Sequence, residues 1–276
     1  MHQLDQSLRH VGPGVIMRPR SKIIDLWGGN MKVRLGLAAF GLALFTTLSG
    51  AGPVSAEEGV VLPVAQLDGA EADPAIVNGE YADSSSGMAA VFSNGKFVCS
   101  GSIIAERWVL TAKHCVGGSM SVRVKSLDRT TGGGVVTVDD TKVRTNHDIA
   151  LLHLDRSANA EYVRLASAHP AEGTTNYIFG WGATCGGCNS SVKLKRATVK
   201  VTDVNAVDYY GGRAIQSVKI NGLACYGDSG GPQFKLVDGL RYQVGVLSTV
   251  GSGCTSFNRY ASVPTSLDWI KQVAGL

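Results

Sequence analysis

The sequence predicts an all-β protein that ends in a single helix. Glycine accounts for 35 of the 276 residues and proline for 8, a composition that favours tight turns between short strands. Short apolar runs recur between these turns, and only the last residues show a helical periodicity. Many strands followed by one helix form a β-barrel or a β-sandwich, because no helices alternate with the strands to cover a parallel sheet.

The predicted elements follow from these runs. In the tail, Pro264 and Thr265 open a helix, and Leu267, Ile270 and Val273 fall about three residues apart on one of its faces. Ten apolar runs are predicted as strands: Phe97–Ile104, Trp108–Ala112, Ser121–Lys125, Gly134–Val138, Ile149–Leu154, Tyr177–Gly180, Val192–Val201, Gln233–Leu236, Tyr242–Ser248 and Arg259–Ser262.

The segment before the strands predicts export. Lys32 and Arg34 precede an apolar run over 35–48, and the small residues Val54-Ser55-Ala56 follow it. This order is typical of a secretory signal peptide. A membrane anchor, the alternative, needs about 20 apolar residues. We therefore expect a secreted, extracellular protein.

Three regions follow from this interpretation. Residues 1–56 are predicted to be an N-terminal extension with the signal peptide, with Met31 as an alternative start. The acidic segment 57–75 is predicted to be a pro-segment, and 76–276 to be the folded domain.

Composition also bears on partners. The formal net charge is +4, and charged residues make up 17% of the chain. No run of five or six like charges occurs in the sequence. We therefore expect no nucleic-acid partner.

The cysteines favour disulfides. All six follow the predicted signal peptide, and an even number in an exported chain indicates a disulfide framework of open connectivity. Pairing of sequence neighbours would join Cys99 to Cys115, Cys185 to Cys188 and Cys225 to Cys254. Zinc is an alternative for Cys185-Gly-Gly-Cys188, but no second metal-ligand pair accompanies it. A thioredoxin-like redox site would need a helix at these cysteines, and the glycines around them disfavour a helix. No metal or cofactor is expected.

Three stretches together suggest nucleophilic catalysis. VLTAKHC places His114 after a predicted strand, NHDIALLHL places Asp148 before one, and GDSGGP places Ser229 in a glycine-rich turn. A serine hydroxyl needs a base to take its proton, and the base needs a carboxylate that fixes its tautomer. The glycines leave backbone N–H groups free to bind a developing oxyanion.

Each stretch has an ordinary alternative. A single histidine after a strand is more often structural than catalytic, and an aspartate before a strand is usually a turn residue. The G-x-S-x-G spacing at Ser229 also fits the nucleophile turn of α/β-hydrolase lipases and esterases. In that fold the catalytic histidine follows the serine, whereas no histidine follows Ser229 here.

On these residues the chain resembles the chymotrypsin-like (trypsin-superfamily) serine proteases. Five motifs carry the resemblance in family order: Ile76-Val77-Asn78-Gly79, Thr111-Ala112-Lys113-His114-Cys115, Asp148-Ile149-Ala150-Leu151-Leu152, Gly180-Trp181-Gly182 and Gly227-Asp228-Ser229-Gly230-Gly231-Pro232. The resemblance implies two six-stranded antiparallel β-barrels with a C-terminal helix, which meet near residues 165–175.

The resemblance also implies site roles. His114 would be the general base and acid, Asp148 would orient it, and Ser229 would attack the substrate. The N–H groups of Gly227 and Ser229 would form the oxyanion hole. Cys99–Cys115 and Cys225–Cys254 would be the family's disulfides, whereas Cys185 and Cys188 have no family counterpart.

Zymogen activation is a further implication. Cleavage before Ile76 would free an α-amino group that pairs with Asp228. Because the preceding residue is Ala75, a trypsin-like activator is not expected, and self-maturation is the hypothesis.

Four residues bear on substrate choice. Leu223 stands where trypsins carry an acid, so cleavage after Lys or Arg is not expected. Ser248 matches the serine of the strand that pairs with substrate. Val250 is predicted to intrude on the pocket wall, and Asn258 is predicted to line the far wall. Small or medium apolar side chains should be preferred, with broad selectivity because one methylene changes binding by only about 1–3 kcal/mol.

The predicted function is a serine endopeptidase that uses a His-Asp-Ser triad and an acyl-enzyme. Its expected partners are protein or peptide substrates and proteinaceous protease inhibitors, and a monomer is expected. The rival class is a catalytically inactive, protease-like binding module. Such a module normally lacks a triad member, and all three are present here.

Overall fold

A computed structural model describes residues 76–276, which consist mainly of β-strands. The predicted signal peptide and pro-segment lie outside the described residues. The strands are β1 (Glu80–Tyr81), β2 (Met88–Ser93), β3 (Lys96–Ala105), β4 (Trp108–Thr111), β5 (Met120–Val124), β6 (Gly134–Val143), β7 (Ala150–Leu154), β8 (Arg164–Leu165), β9 (Thr175–Gly180), β10 (Lys195–Val207), β11 (Arg213–Lys219), β12 (Pro232–Val237), β13 (Leu240–Val250) and β14 (Asn258–Ser262).

The first barrel contains six antiparallel strands in the order β2-β3-β4-β7-β6-β5, and pairing of β2 with β5 closes it. Its interior is apolar, with Val91, Ile103, Leu110 and Leu152 fully buried. Asn94 and Gly95 join β2 to β3 with positive φ angles of 49° and 75°, the conformation that a tight two-residue hairpin turn requires.

The second barrel contains β10, β11, β14, β13, β12 and β9 in that order, and β9 closes it by pairing with β10. All of these pairs are antiparallel, whereas the two-residue β8 lies parallel to β13 at the barrel's side. The predicted all-β fold of two six-stranded antiparallel barrels is confirmed.

Four strands were absent from the prediction, namely β1, β2, β8 and β11. β2 has the sequence MAAVFS, and its alanines have little intrinsic preference for strands. Its first four residues are all buried, so they lack the alternation that marks a strand in sequence. Pairing with β3 on one side and β5 on the other holds β2 in place.

The C-terminal helix α1 spans Val263–Ala274. The Ser262 side chain caps it by accepting a hydrogen bond from the Thr265 N–H at 3.2 Å, and Gly275 ends it in a left-handed conformation. Ile270 joins a buried cluster that also contains Val246 of the second barrel and many residues of the first. Within residues 76–276, no helix is long and apolar enough to cross a membrane.

Three disulfides join the six cysteines as sequence neighbours: Cys99–Cys115, Cys185–Cys188 and Cys225–Cys254. Binding of zinc by Cys185 and Cys188 would need free thiolates, whereas these two sulfurs are bonded to each other.

Candidate active site

The pairing of β4 with β7 brings His114 close to Asp148. Thr111, the last residue of β4, lies opposite Ala150, the first residue of β7. Asp148 precedes β7, and His114 follows β4 in a short 3-10 turn over Lys113–Cys115. The Cys99–Cys115 disulfide ties that turn to β3.

The Asp148 carboxylate holds the His114 ring. The His114 Nδ1 atom lies 2.7 Å from Asp148 Oδ2, and the His114 backbone N–H donates to Asp148 Oδ1 at 3.0 Å. Ser248 Oγ donates a further hydrogen bond to Oδ2 at 2.7 Å. Asp148 is fully buried, and a buried carboxylate is tolerated when donors surround it in this way. The contact with Asp148 places a proton on Nδ1 and leaves Nε2 as the basic nitrogen.

Ser229 lies in a turn bonded to both barrels. Its carbonyl accepts from the N–H of Ser100 in β3 at 2.8 Å, and the N–H of Gly230 donates to Leu247 in β13 at 2.9 Å. A Cβ on Gly230 would lie 2.1 Å from Thr111 Oγ1, so only glycine allows this close approach. Gly230 also has a φ of +78°, which favours glycine.

Ser229 is partly exposed, and two N–H groups of its turn have no protein acceptor. Among residues 76–276, the hydrogen bonds of His114 include Asp148 but not Ser229. Catalytic contacts of this kind often tighten only when substrate binds. In the same part of the chain, the N–H groups of Gly227 and Ser229 donate to no protein acceptor, whereas those of Asp228, Gly230 and Gly231 do.

Asp228 is fully buried beneath the turn. Its Oδ1 accepts from the Gly182 N–H at 2.7 Å, and its Oδ2 accepts from the Cys225 N–H at 2.9 Å. Loss of solvent raises the pKa of this carboxyl to about 7, because the two backbone hydrogen bonds only partly offset the burial. Ile76, its predicted partner, is 1% exposed and packs in one apolar cluster with Leu223 and Ala224.

The four predicted substrate-binding residues have different surroundings. Leu223 is buried in the Ile76 cluster, and Val250 packs against this cluster and against the Cys225–Cys254 disulfide. Ser248 binds Asp148. Asn258 is fully buried, and its amide bonds both backbone groups of Ala224, at 2.8 Å to the N–H and 3.0 Å to the carbonyl. The polar groups of Asn258 therefore hold the backbone next to Leu223.

The sequence motifs did not predict a role for Asp208, which lies near the site. Asp208 is 6% exposed, and its Oδ2 accepts from the backbone N–H of Asp148 at 3.0 Å. Asp208 belongs to none of the matched motifs. The sequence at this position signals only a turn, through the stretch Asp208-Tyr209-Tyr210-Gly211-Gly212.

The sulfur atoms of Cys99 and Cys115 lie near the His114 ring. Because the two sulfurs are bonded to each other, they are not thiolates, and thiolates are the form that binds metals. This group therefore does not make a metal site.

Comparisons with known proteins agree with this geometry. The trypsin family model matches residues 76–270. Trypsin 5G1 of Aedes aegypti is 34% identical over an alignment of 206 residues, which covers 64% of this chain and 76% of that protein. Chymotrypsin-like elastase family member 3B of Macaca mulatta is 32% identical over an alignment of 215 residues, which covers 65% of this chain and 84% of that protein.

A solved structure gives the same result. Neuropsin, a serine protease expressed in the limbic system of mouse brain, superposes with a TM-score of 0.63 at 27% identity, covering 71% of this chain and 98% of that chain. The resemblance inferred from the five motifs is confirmed. This chain belongs to the trypsin family, and it is a serine endopeptidase.

Proposed function

We propose that the protein is a secreted endopeptidase that cleaves peptide bonds through His114, Asp148 and Ser229. The observation that carries the proposal is the 2.7 Å contact between His114 Nδ1 and the buried Asp148 carboxylate. Gly230, the residue after Ser229, lies against Thr111 and Ala112, which shortly precede His114. Ser100 supports this placement, because it follows the disulfide-bonded Cys99 and binds the Ser229 carbonyl.

The proposed reaction has two halves. Ser229 Oγ attacks the scissile carbonyl while His114 Nε2 takes its proton, and the oxyanion is bound by the free N–H groups of Gly227 and Ser229. His114 then gives the proton to the leaving amine, and an acyl-enzyme ester remains. Water, deprotonated by His114, attacks this ester and releases the acid, and the proton returns to Ser229.

Activation involves Ile76 and Asp228. Cleavage before Ile76 creates an ammonium group that would pair with the Asp228 carboxylate. The burial of Ile76 beside Leu223 and Ala224 and the raised pKa of Asp228 support this, because a buried carboxylate is stabilised by a cation. The pairing would fix the turn that carries Gly227 and Ser229. Since Ala75 precedes the new terminus, we also propose that the enzyme matures itself.

Substrate preference should be for small or medium apolar residues before the scissile bond. Leu223 offers no charge to Lys or Arg, and Val250 adds bulk where the pocket wall is expected. Profiling a peptide library with the cleaved enzyme tests this preference. Val250→Gly should raise kcat/KM for larger apolar residues by about 10-fold or more relative to alanine. A wild-type preference for Lys or Arg would contradict the assignment of Leu223.

The catalytic assignment is tested with a serine-reactive phosphonate. The chain cleaved before Ile76 should be labelled at Ser229, whereas Ser229→Ala and the uncleaved chain should not. Exposed Ser256 provides the matched control, since Ser256→Ala should label as wild type. A cleaved wild-type chain that is neither labelled nor active on any peptide would instead indicate a binding module.

Self-maturation and secretion need their own measurements. Purified Ser229→Ala should remain uncut at Ala75 when incubated alone, and normal processing would refute self-maturation.

Expression of the full chain, followed by N-terminal sequencing of the medium fraction, tests export. Protein substrates and proteinaceous inhibitors are the proposed partners, and sedimentation should find a monomer.

A further inference from the structure

The turn between β10 and β11, residues 208–212, is bonded to the catalytic pair at several points. Asp208 closes the turn from within. Its Oδ1 accepts from the N–H groups of Tyr210 and Gly212, each at 2.9 Å, and its own N–H donates to the Gly212 carbonyl at 2.8 Å. The two side-chain contacts use only Oδ1, and the amide oxygen of an asparagine could accept both of them equally well.

The second oxygen of Asp208 leaves the turn. It accepts from the backbone N–H of Asp148 at 3.0 Å. Both carboxylates are almost fully buried. Arg144 provides a countercharge, since the negative charge of Asp208 opposes the lowering of the Arg144 pKa that burial causes. The second oxygen of Asp208 is therefore the atom that joins the turn to the Asp148 backbone.

A second link runs through Ser248. The N–H of Tyr209 donates to Ser248 Oγ at 3.0 Å, and Ser248 Oγ donates to Asp148 Oδ2 at 2.7 Å. The Ser248 hydroxyl has a single proton, which it must donate to Asp148 because a carboxylate can only accept. The hydroxyl oxygen therefore accepts from Tyr209. The 208–212 turn thus holds the Asp148 backbone through Asp208 and the Asp148 carboxylate through Ser248.

A third contact reaches the residue before His114. The ammonium of Lys113 lies 4.1 Å from the centre of the Tyr210 ring, a distance typical of a cation–π contact. Lys113 directly precedes His114 in the short 3-10 turn. Its contact gives the His114 turn a direct connection to the same 208–212 turn.

We propose that Asp208 is a positioning residue for proteolysis, which acts through Asp148 on the orientation of the His114 ring. The proposal rests on the proposed function of His114, Asp148 and Ser229. Misplacing a catalytic group by about 1 Å costs on the order of 10²-fold in rate. We therefore expect Asp208→Ala to lower kcat by about 10- to 100-fold, with little change in KM.

A double-mutant cycle separates positioning from a general structural role. If Asp208 acts through Asp148, Asp208→Ala should cause almost no further loss in an Asp148→Ala background. Asp203 offers the matched control. It lies on the same hairpin, and its side chain bonds only the local Asn205 N–H in the described structure, so Asp203→Ala should keep the kcat of wild type.

NMR provides a readout that does not depend on turnover. The proton between His114 Nδ1 and Asp148 should give a downfield signal in wild type, and this signal should weaken or move upfield in Asp208→Ala but not in Asp203→Ala. If Asp208→Ala does not fold, Asp208→Asn takes its place. One carboxamide oxygen can serve Asp148 or the 208–212 turn but not both, so an intermediate loss of kcat is expected.

The outcomes are distinct. An Asp208 variant with the kcat and His114 signal of wild type would overturn the proposal, and so would full additivity with Asp148→Ala. If wild type itself neither turns over peptides nor labels at Ser229, the proposed function fails. The His114 signal then still decides whether Asp208 orients the Asp148–His114 pair.

Discussion

Gly182 donates its backbone N–H to Asp228 Oδ1 across 2.7 Å, and the approach is too close for any other residue. A Cβ at this position would lie 2.4 Å from Asp228 Cγ and 2.6 Å from the Asp228 backbone nitrogen. The G-W-G motif and the G-D-S-G-G-P motif thus meet at one contact, which explains why glycine follows Trp181.

Gly182→Ala should disrupt the turn that carries Ser229. Since the overlap involves backbone as well as side chain, we expect a loss of about 3 kcal/mol in the free energy of unfolding and a fall in kcat/KM of about 10²-fold or more. Urea denaturation and peptide kinetics measure the two effects. Gly187→Ala is the control, because a Cβ there would have no neighbour within 4 Å. Equal behaviour of the two variants would contradict the steric argument.

The pH dependence of stability should differ before and after cleavage at Ile76. In the uncleaved chain, the Asp228 carboxyl has a pKa of about 7 against an ordinary value of 3.8. Between these values the folded state holds a proton that the unfolded chain has lost, so this group's contribution to stability falls as pH rises. An ammonium beside the carboxylate would reverse this by favouring the ionised form.

The cleaved chain should therefore gain stability over the uncleaved one as pH rises from about 4 to 7. The gain should decline well above pH 8, where the α-amine loses its proton. Unfolding of both forms in a Ser229→Ala background tests this without self-digestion. Asp228→Ala should abolish the difference. A difference that does not vary with pH would refute the pairing.

Asn258→Ala should destabilise the fold because the N–H and carbonyl of Ala224 would lose their partners. Each unsatisfied buried group costs about 1–3 kcal/mol. Asn258→Asp should also destabilise, since a carboxylate can accept from the Ala224 N–H but cannot donate to its carbonyl. Asn189→Ala, at an exposed loop position, should stay within about 0.5 kcal/mol of wild type. Thermal unfolding of the three variants makes the comparison.

The three disulfides should contribute unequally to the free energy of unfolding. The paired cysteines are separated by 3, 16 and 29 residues for Cys185–Cys188, Cys99–Cys115 and Cys225–Cys254. Loop-closure entropy then predicts losses of about 2, 3 and 3–4 kcal/mol when each pair is replaced by alanine. Urea denaturation of the three double-alanine proteins measures this order. A loss at Cys185–Cys188 larger than the other two would show that its loop has a structural role beyond chain entropy.

The sequence by itself determined the fold class, the family and the residues assigned to catalysis. Short motifs in a fixed order can be recognised without coordinates, because the nucleophile, base and oxyanion donors each need a particular residue type. Strands such as β10 were recognised for a related reason, since alternating apolar side chains must face one core.

Tertiary structure decided the contacts between segments that are distant in sequence. Asp208 lies 60 residues from Asp148, and nothing in its own turn predicts which backbone N–H its second oxygen will bind. Asn258 was predicted to line a pocket wall, and only the fold shows that its amide bonds the backbone of Ala224, 34 residues earlier. β2 became a strand only through its two neighbours. Long-range hydrogen bonds depend on how the barrels close and pack, and local composition does not encode that geometry.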